Sequence, residues 1–191
     1  LSVYHLTLEP NTRFAVQPPP NLPDDDSAYE MLDVITQGTQ AAGLERYEVS
    51  AFSKPGHRCV HNLNYWRFGD YLGIGAGAHS KISFPDRIVR QVRWREPARY
   101  LKEVSAGRAV VSNEHALARH ELPFEFMLNG LRLVQGIDLN SFAERTGLSL
   151  VDLREPLSRA SERGLIEREG SIVRASAKGL DFLSDLQSLF L

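Results

Sequence analysis

The chain has 191 residues, 22 Lys and Arg against 24 Asp and Glu, a formal net charge of −2 and 42% hydrophobic residues. That is enough apolar material for a core in one or two domains, and a charge this balanced argues against a polyelectrolyte that captures nucleic acid. No apolar run approaches bilayer length, the short opening Leu1-Ser2-Val3-Tyr4 does not read as a secretory leader, and the single cysteine suits a reducing cytoplasm.

Val3 to Glu9 is rich in β-branched and aromatic residues and predicts a buried strand, with Glu9 at the C-terminal end where α/β barrels build their sites. The chain opens in what reads as the middle of a strand, so a piece of a longer protein is expected. Pro18-Pro19-Pro20 and Pro23 stiffen an extended loop. Asp24 to Ser27 supply caps for a helix running to about Ala42, ended by Gly43. Tyr47 to Phe52 predicts a second strand. Strand, helix, strand at this spacing is a βα unit of a parallel sheet. Ser80–Phe84 and Ile88–Trp94 predict a hairpin around Pro85-Asp86-Arg87, and Glu96 to Ser105 a helix with Pro97 in its first turn.

From His115 the pattern becomes helical. Ala116 to Val134 predicts a helix kinked or split at Pro123. A short helix over Ser141–Thr146, capped by Asp138 or Asn140, turns at Gly147 into a longer one over Leu150–Arg163. Gly164–Arg168 and Ser171–Arg174 pair around Glu169-Gly170, and Ala177 to Phe190 closes with a helix. Helix, turn, helix, hairpin, helix is a winged-helix layout. The expected domains are therefore 1–114 and 115–191. The helix after Gly147 interleaves Arg154, Arg159 and Arg163 with Asp152, Glu155 and Glu162. A recognition helix needs a clearer basic face, so no nucleic-acid partner is expected.

The chemistry concentrates between His57 and His79, which holds three of the six histidines, Cys59, Trp66 and four glycines. If His57, Cys59 and His61 lie on an extended segment, they face one way and offer a metal three ligands, although the spacing matches no common zinc site. His61 alone suits the axial position of haem, because the porphyrin supplies four nitrogens itself. Tyr65 and Trp66 then line the macrocycle, and a side-chain oxygen of Asn62 or Asn64, or a loop carbonyl, orients the imidazole. The bland alternative has His61 and Asn62 bonding loop backbone while Tyr65 and Trp66 fill a core. Gly73, Gly75 and Gly77 precede a strand rather than a helix, which argues against a dinucleotide loop; they permit close backbone approach to a ligand or a tight bend. Cys59 has no orienting third group and is a poor nucleophile.

His61-Asn62-Leu63-Asn64-Tyr65-Trp66 matches an HNxxYW motif, led by Tyr47-Glu48-Val49-Ser50 and followed by Asp70-Tyr71-Leu72-Gly73-Ile74-Gly75-Ala76-Gly77-Ala78-His79-Ser80. This block resembles the radical SAM family related to oxygen-independent coproporphyrinogen III oxidase, and within it the HemW-like haem chaperones. The resemblance implies an α/β fold: the C-terminal βα units of an incomplete TIM-type radical SAM barrel, followed by a winged-helix-like α+β domain. It implies haem or porphyrin as ligand, with His61 on the iron, and His61, Asn62, Tyr65, Trp66, Gly73, Gly75 and Gly77 as binding residues. S-adenosylmethionine and a [4Fe–4S] cluster are implied for the full-length parent only. The family's cluster needs three cysteines, and this chain has Cys59 alone, so by itself it should be inactive. The implied partners are haem-accepting proteins. The alternative parent is a coproporphyrinogen III oxidase of porphyrin biosynthesis.

Overall fold

The computed structural model describes residues 1–191, in two compact units, Leu1–Cys59 and Val60–Leu191. The first begins with α1 (Arg13–Val16), a single turn capped by Thr12. α2 (Asp25–Ala41) starts where the Asp24 carboxylate accepts from the Ser27 N–H at 2.9 Å, with Asp25 and Asp26 favourable at the positive end of the helix dipole. β1 (Glu45–Glu48) and β2 (Ala51–Ser53) form an antiparallel hairpin that buries Tyr47, Ala51 and Phe52.

The single strand expected over Tyr47–Phe52 is therefore two strands. The Ser50 N–H donates to the Glu48 carboxylate at 3.0 Å and the Arg46 guanidinium to the Val49 carbonyl at 2.7 Å, which closes the turn between them. The strand expected over Val3–Glu9 is not formed either. Ser2 bridges Ala51 in antiparallel sense, but residues 4–9 join no ladder, Tyr4 and Leu6 are exposed, and Glu9 lies in the turn before α1. Strand-favouring composition supplies no partner, and without one the pleat has nothing to pair with. The parallel βα pairing read from the sequence is absent: every strand pair is antiparallel.

The second unit opens with α3 (Val60–Trp66). β3 (His79–Ser83) and β4 (Ile88–Arg93) form the expected hairpin, Ser83 facing Ile88. α4 (Pro97–Ser105) follows, with proline in its first turn. β5 (Val111–Ala116) then pairs with β4, reaching into the segment from His115 where a helical pattern was expected. α5 (Leu122–Gly130) begins at Leu122, so Pro123 opens the helix instead of kinking it. A proline in the first turn loses no hydrogen bond and presets φ. β6 (Ile137–Asp138) leads to α6 (Asn140–Thr146), where the Asn140 N–H donates to Asp138 at 3.0 Å. A 3₁₀ turn (Leu150–Leu153), closed by a reciprocal Ser149–Asp152 capping box, precedes α7 (Arg154–Glu162). β7 (Ile166–Glu169) and β8 (Ile172–Ala175) pair about Gly170, and β6 joins the other side of β8. The closing helix is broken at Phe182 into α8 (Ala177–Asp181) and α9 (Leu183–Ser188).

One core holds this unit together. Phe126, Met127, Leu131, Phe142, Leu153, Val173 and Leu186 are fully or almost fully buried, and Phe68 and Ile88 belong to the same cluster. Contacts thus group residues on both sides of position 115 and divide the chain at Cys59 and Val60 instead.

Candidate functional site

α3 has seven residues, none of them fully buried. Residues four apart on a helix share a face, so the motif resolves into two pairs, His61 with Tyr65 and Asn62 with Trp66. The His61 ring stands edge-on to Tyr65, with centroids 4.6 Å apart and planes at 89°. Tyr65 in turn meets Tyr71 at 4.3 Å. The Tyr71 hydroxyl accepts from Arg90 of β4 at 2.8 Å, and Arg90 pairs with Glu125 of α5. Burial pushes the Tyr71 phenol up, against the pull of the Arg90 charge beside it. Trp66 lies under the Arg132 guanidinium at 4.3 Å, and its buried indole N–H has no acceptor. His61 is exposed and its ring nitrogens form no hydrogen bond within the chain.

The helix is stopped by a left-handed turn. The Phe68 N–H donates to the Tyr65 carbonyl at 2.9 Å and the Gly69 N–H to the Asn64 carbonyl at 2.7 Å, the paired bonds of a Schellman motif. The left-handed residue is Phe68 itself, at φ 57. Gly69 is required one position later: a Cβ there would lie 2.1 Å from Asn64 Oδ1 and 2.8 Å from the Asn64 carbonyl oxygen. The Asn64 amide donates to the Asp70 carbonyl at 2.8 Å. Asn64 thus ties the end of α3 to the outgoing chain through its amide nitrogen.

Beyond the turn, Lys81 of β3 is buried against this segment. Its ammonium donates to the Phe68 carbonyl at 3.1 Å, to Asp70 at 2.8 Å and to Ser83 at 3.2 Å, and sits 4.0 Å from the Phe68 ring centroid. Burial lowers the Lys81 pKa, partly offset by Asp70. Burial raises the Asp70 carboxyl, but Lys81 and the Ser83 N–H and hydroxyl outweigh it and hold that group below its ordinary value.

The glycines lie in the loop between Tyr71 and β3. Gly73 is an internal fit: a Cβ would meet the His79 carbonyl oxygen at 2.2 Å, and its N–H donates to Ser80 at 2.9 Å. Gly75 and Gly77 take positive φ, and Gly75 alone of the three has open space where a Cβ would be. Their contacts run to Tyr100 and Trp94, whereas those of His61 and Tyr65 run to Tyr71 and Arg90. Helix α3 begins at Val60, so the alternation that would aim His57, Cys59 and His61 one way does not extend to His61. No group of three His, Cys, Asp or Glu side chains gathers to hold a metal. The sequence reading missed Tyr71, Lys81, Arg90 and Glu125. Tyr71 stood within the resembling block, while the two ion pairs link distant positions and leave no local signal.

Comparison with known proteins gives the class first. Residues 117–182 match the HemN C-terminal domain. The fold resembles that of the solved structure of coproporphyrinogen III oxidase (HemN) from Escherichia coli, a radical SAM enzyme, at TM-score 0.64 and 16% identity over 89% of this chain and 42% of that one. The chain is also similar along its whole length to the Heme chaperone HemW of Escherichia coli K12, at 42% identity, and of Haemophilus influenzae, at 38%, and spans 49% of each. The resemblance to the HemW-like family holds, and the chain matches the C-terminal portion, about half the length, of those relatives. No helix is long and apolar enough to cross a membrane.

Proposed function

We propose that the chain is the C-terminal portion of a HemW-like haem chaperone, and that α3 presents His61 to haem iron. The observation that carries this is the His61–Tyr65 pair: an exposed imidazole whose ring nitrogens form no hydrogen bond within the chain, edge-on to an aromatic ring, on the face of a short helix. A neutral imidazole is a good iron ligand near pH 7, and a porphyrin asks the protein for only one or two ligands, which fits a site holding a single histidine. Tyr65 lines the macrocycle. Trp66 supplies a further aromatic face and an unpaired indole donor, and Asn62 shares its side of the helix. Among the glycines, Gly75 offers open backbone to a ligand, while Gly73 and Gly77 shape the loop that carries it.

In this reading the whole protein holds S-adenosylmethionine and a [4Fe–4S] cluster outside this chain, and passes haem to haem-requiring proteins in the cytoplasm, the compartment that suits its single cysteine. The part of the chain before β5 belongs to the end of the barrel. The part after β5 is winged-helix-like, for which the order β6, α6, α7, β7, β8 and the family match over residues 117–182 are the support. The alternative parent, a coproporphyrinogen III oxidase, is less favoured: likeness to that enzyme is at 16% identity, against 42% to a haem chaperone.

Titration with haemin, read at the Soret band, tests the site. The wild-type protein is expected to give a shifted band that His61→Ala loses at unchanged far-UV circular dichroism. Identical titrations of the two would remove His61 from the site.

A further inference from the structure

We propose that Lys81 is a positioning residue of this site, fastening the turn that ends α3 and so fixing how the helix presents His61 and Tyr65. The inference rests on the haem reading above. Seven residues are too few for a helix to hold its own conformation or direction in water, and α3 buries none of them fully. Its placement must therefore come from what it touches, along Tyr65 and Trp66 and at its ends.

At the C-terminal end, one strand residue addresses three consecutive points of the outgoing chain. The Lys81 ammonium takes the Phe68 carbonyl and lies over its ring, then holds Asp70 on the far side of Gly69. The Lys81 backbone pairs with Tyr71 in both directions, at 2.9 and 3.1 Å. Asp70 relays the hold inward, because its carbonyl receives the Asn64 amide from within α3. Its carboxylate is fixed independently by the Ser83 N–H at 2.9 Å. The result reaches the candidate site through rings: Tyr71, set by Lys81, meets Tyr65, set by α3. A lysine whose side chain is only 2% exposed, with its donors directed at three acceptors around one helix end, orders that end; it touches neither His61 nor a bound ligand and is not a catalytic group.

Lys81→Met tests this, since methionine keeps the apolar stem beside Phe68 and removes the charge and donors. The expected result is a haemin half-saturation concentration raised about tenfold, the scale on which supporting partners of metal ligands act. The nuclear Overhauser contact between the Tyr65 and Tyr71 rings should be lost in the haem-free protein, at unchanged far-UV circular dichroism. Asp70→Asn, which keeps an oxygen for Lys81 but lacks the charge, should move both readouts the same way by less. A Lys81→Met protein with wild-type half-saturation and an intact ring contact overturns the proposal. If Lys81→Met does not fold, Asp70→Asn decides, and wild-type values there overturn it. Should His61→Ala also titrate like wild type, the haem reading has failed, while the Tyr65–Tyr71 contact still decides the role of Lys81.

Discussion

Phe68 combines two opposed demands, and separating them gives a result whose sign ordinary sequence preferences reverse. The residue is 1% exposed, packed 5.6 Å from Phe126 in the core, and sits at φ 57. Removing a buried phenyl costs about 3–5 kcal/mol, and the left-handed conformation costs an L-residue about 1–2 kcal/mol. Phe68→Ala loses the ring and keeps the backbone cost. Phe68→Gly loses the ring and is relieved of that cost. Within a helix or strand, glycine is less stable than alanine by roughly 0.5–1 kcal/mol, but at this turn Phe68→Gly should be the more stable variant by about 1 kcal/mol. For a protein of this size that difference is roughly 2–4 °C in melting temperature. Trp66 and Trp94 both lie within Val60–Leu191, so urea unfolding followed by tryptophan fluorescence reports on the unit concerned. A Phe68→Ala protein equal to or more stable than Phe68→Gly would refute the account of this turn.

Two further outcomes are expected. Asp70 has a lowered pKa in the folded chain, net of a burial effect in the other direction. Its pairing therefore contributes stability above the unfolded carboxylate pKa of about 3.9 that is lost as pH falls through the lower folded value. Asp70→Asn should flatten the acid limb of a stability–pH curve below about pH 4, and an unchanged limb would contradict the pairing with Lys81. Gly136 holds φ 81, and a Cβ there would lie 2.4 Å from the Val173 carbonyl oxygen. Gly136→Ala should therefore cost at least about 2 kcal/mol from backbone strain and forced separation of β6 from β8, seen as an earlier urea midpoint; a shift within error would show that the turn relaxes freely.

Local chemistry was the most legible layer of the sequence. The Asp24 cap, the Pro97 start, the hairpin about Pro85-Asp86-Arg87 and the turn at Gly170 each depend on a few adjacent residues, and each is found where it was read. Partner-dependent features were not legible. The segment Val111 to Ala116, almost all exposed, lacks the alternation of a half-buried strand and becomes β5 only because β4 offers it a ladder. Val3 to Glu9 has the right composition and no such partner. In the site, the motif was readable as residue types, and its helical period gives the His61–Tyr65 face once Val60 is known to start a helix. The direction of that helix was not readable, because it is set by Lys81 and Asp70 across the turn and by Arg90 and Glu125 between elements.

The two three-stranded sheets also have a bearing on behaviour in concentrated solution. β5 ends one sheet with Ser112, Asn113, Glu114 and His115, and β7 ends the other with Glu167, Arg168 and Glu169, all exposed. An open strand edge invites pairing with another chain, and charged or strongly polar side chains along it impose a desolvation and repulsion cost on any strand that docks there. The β5 and β7 edges of this protein are thus guarded against edge-to-edge growth by side chains that contribute little to its core.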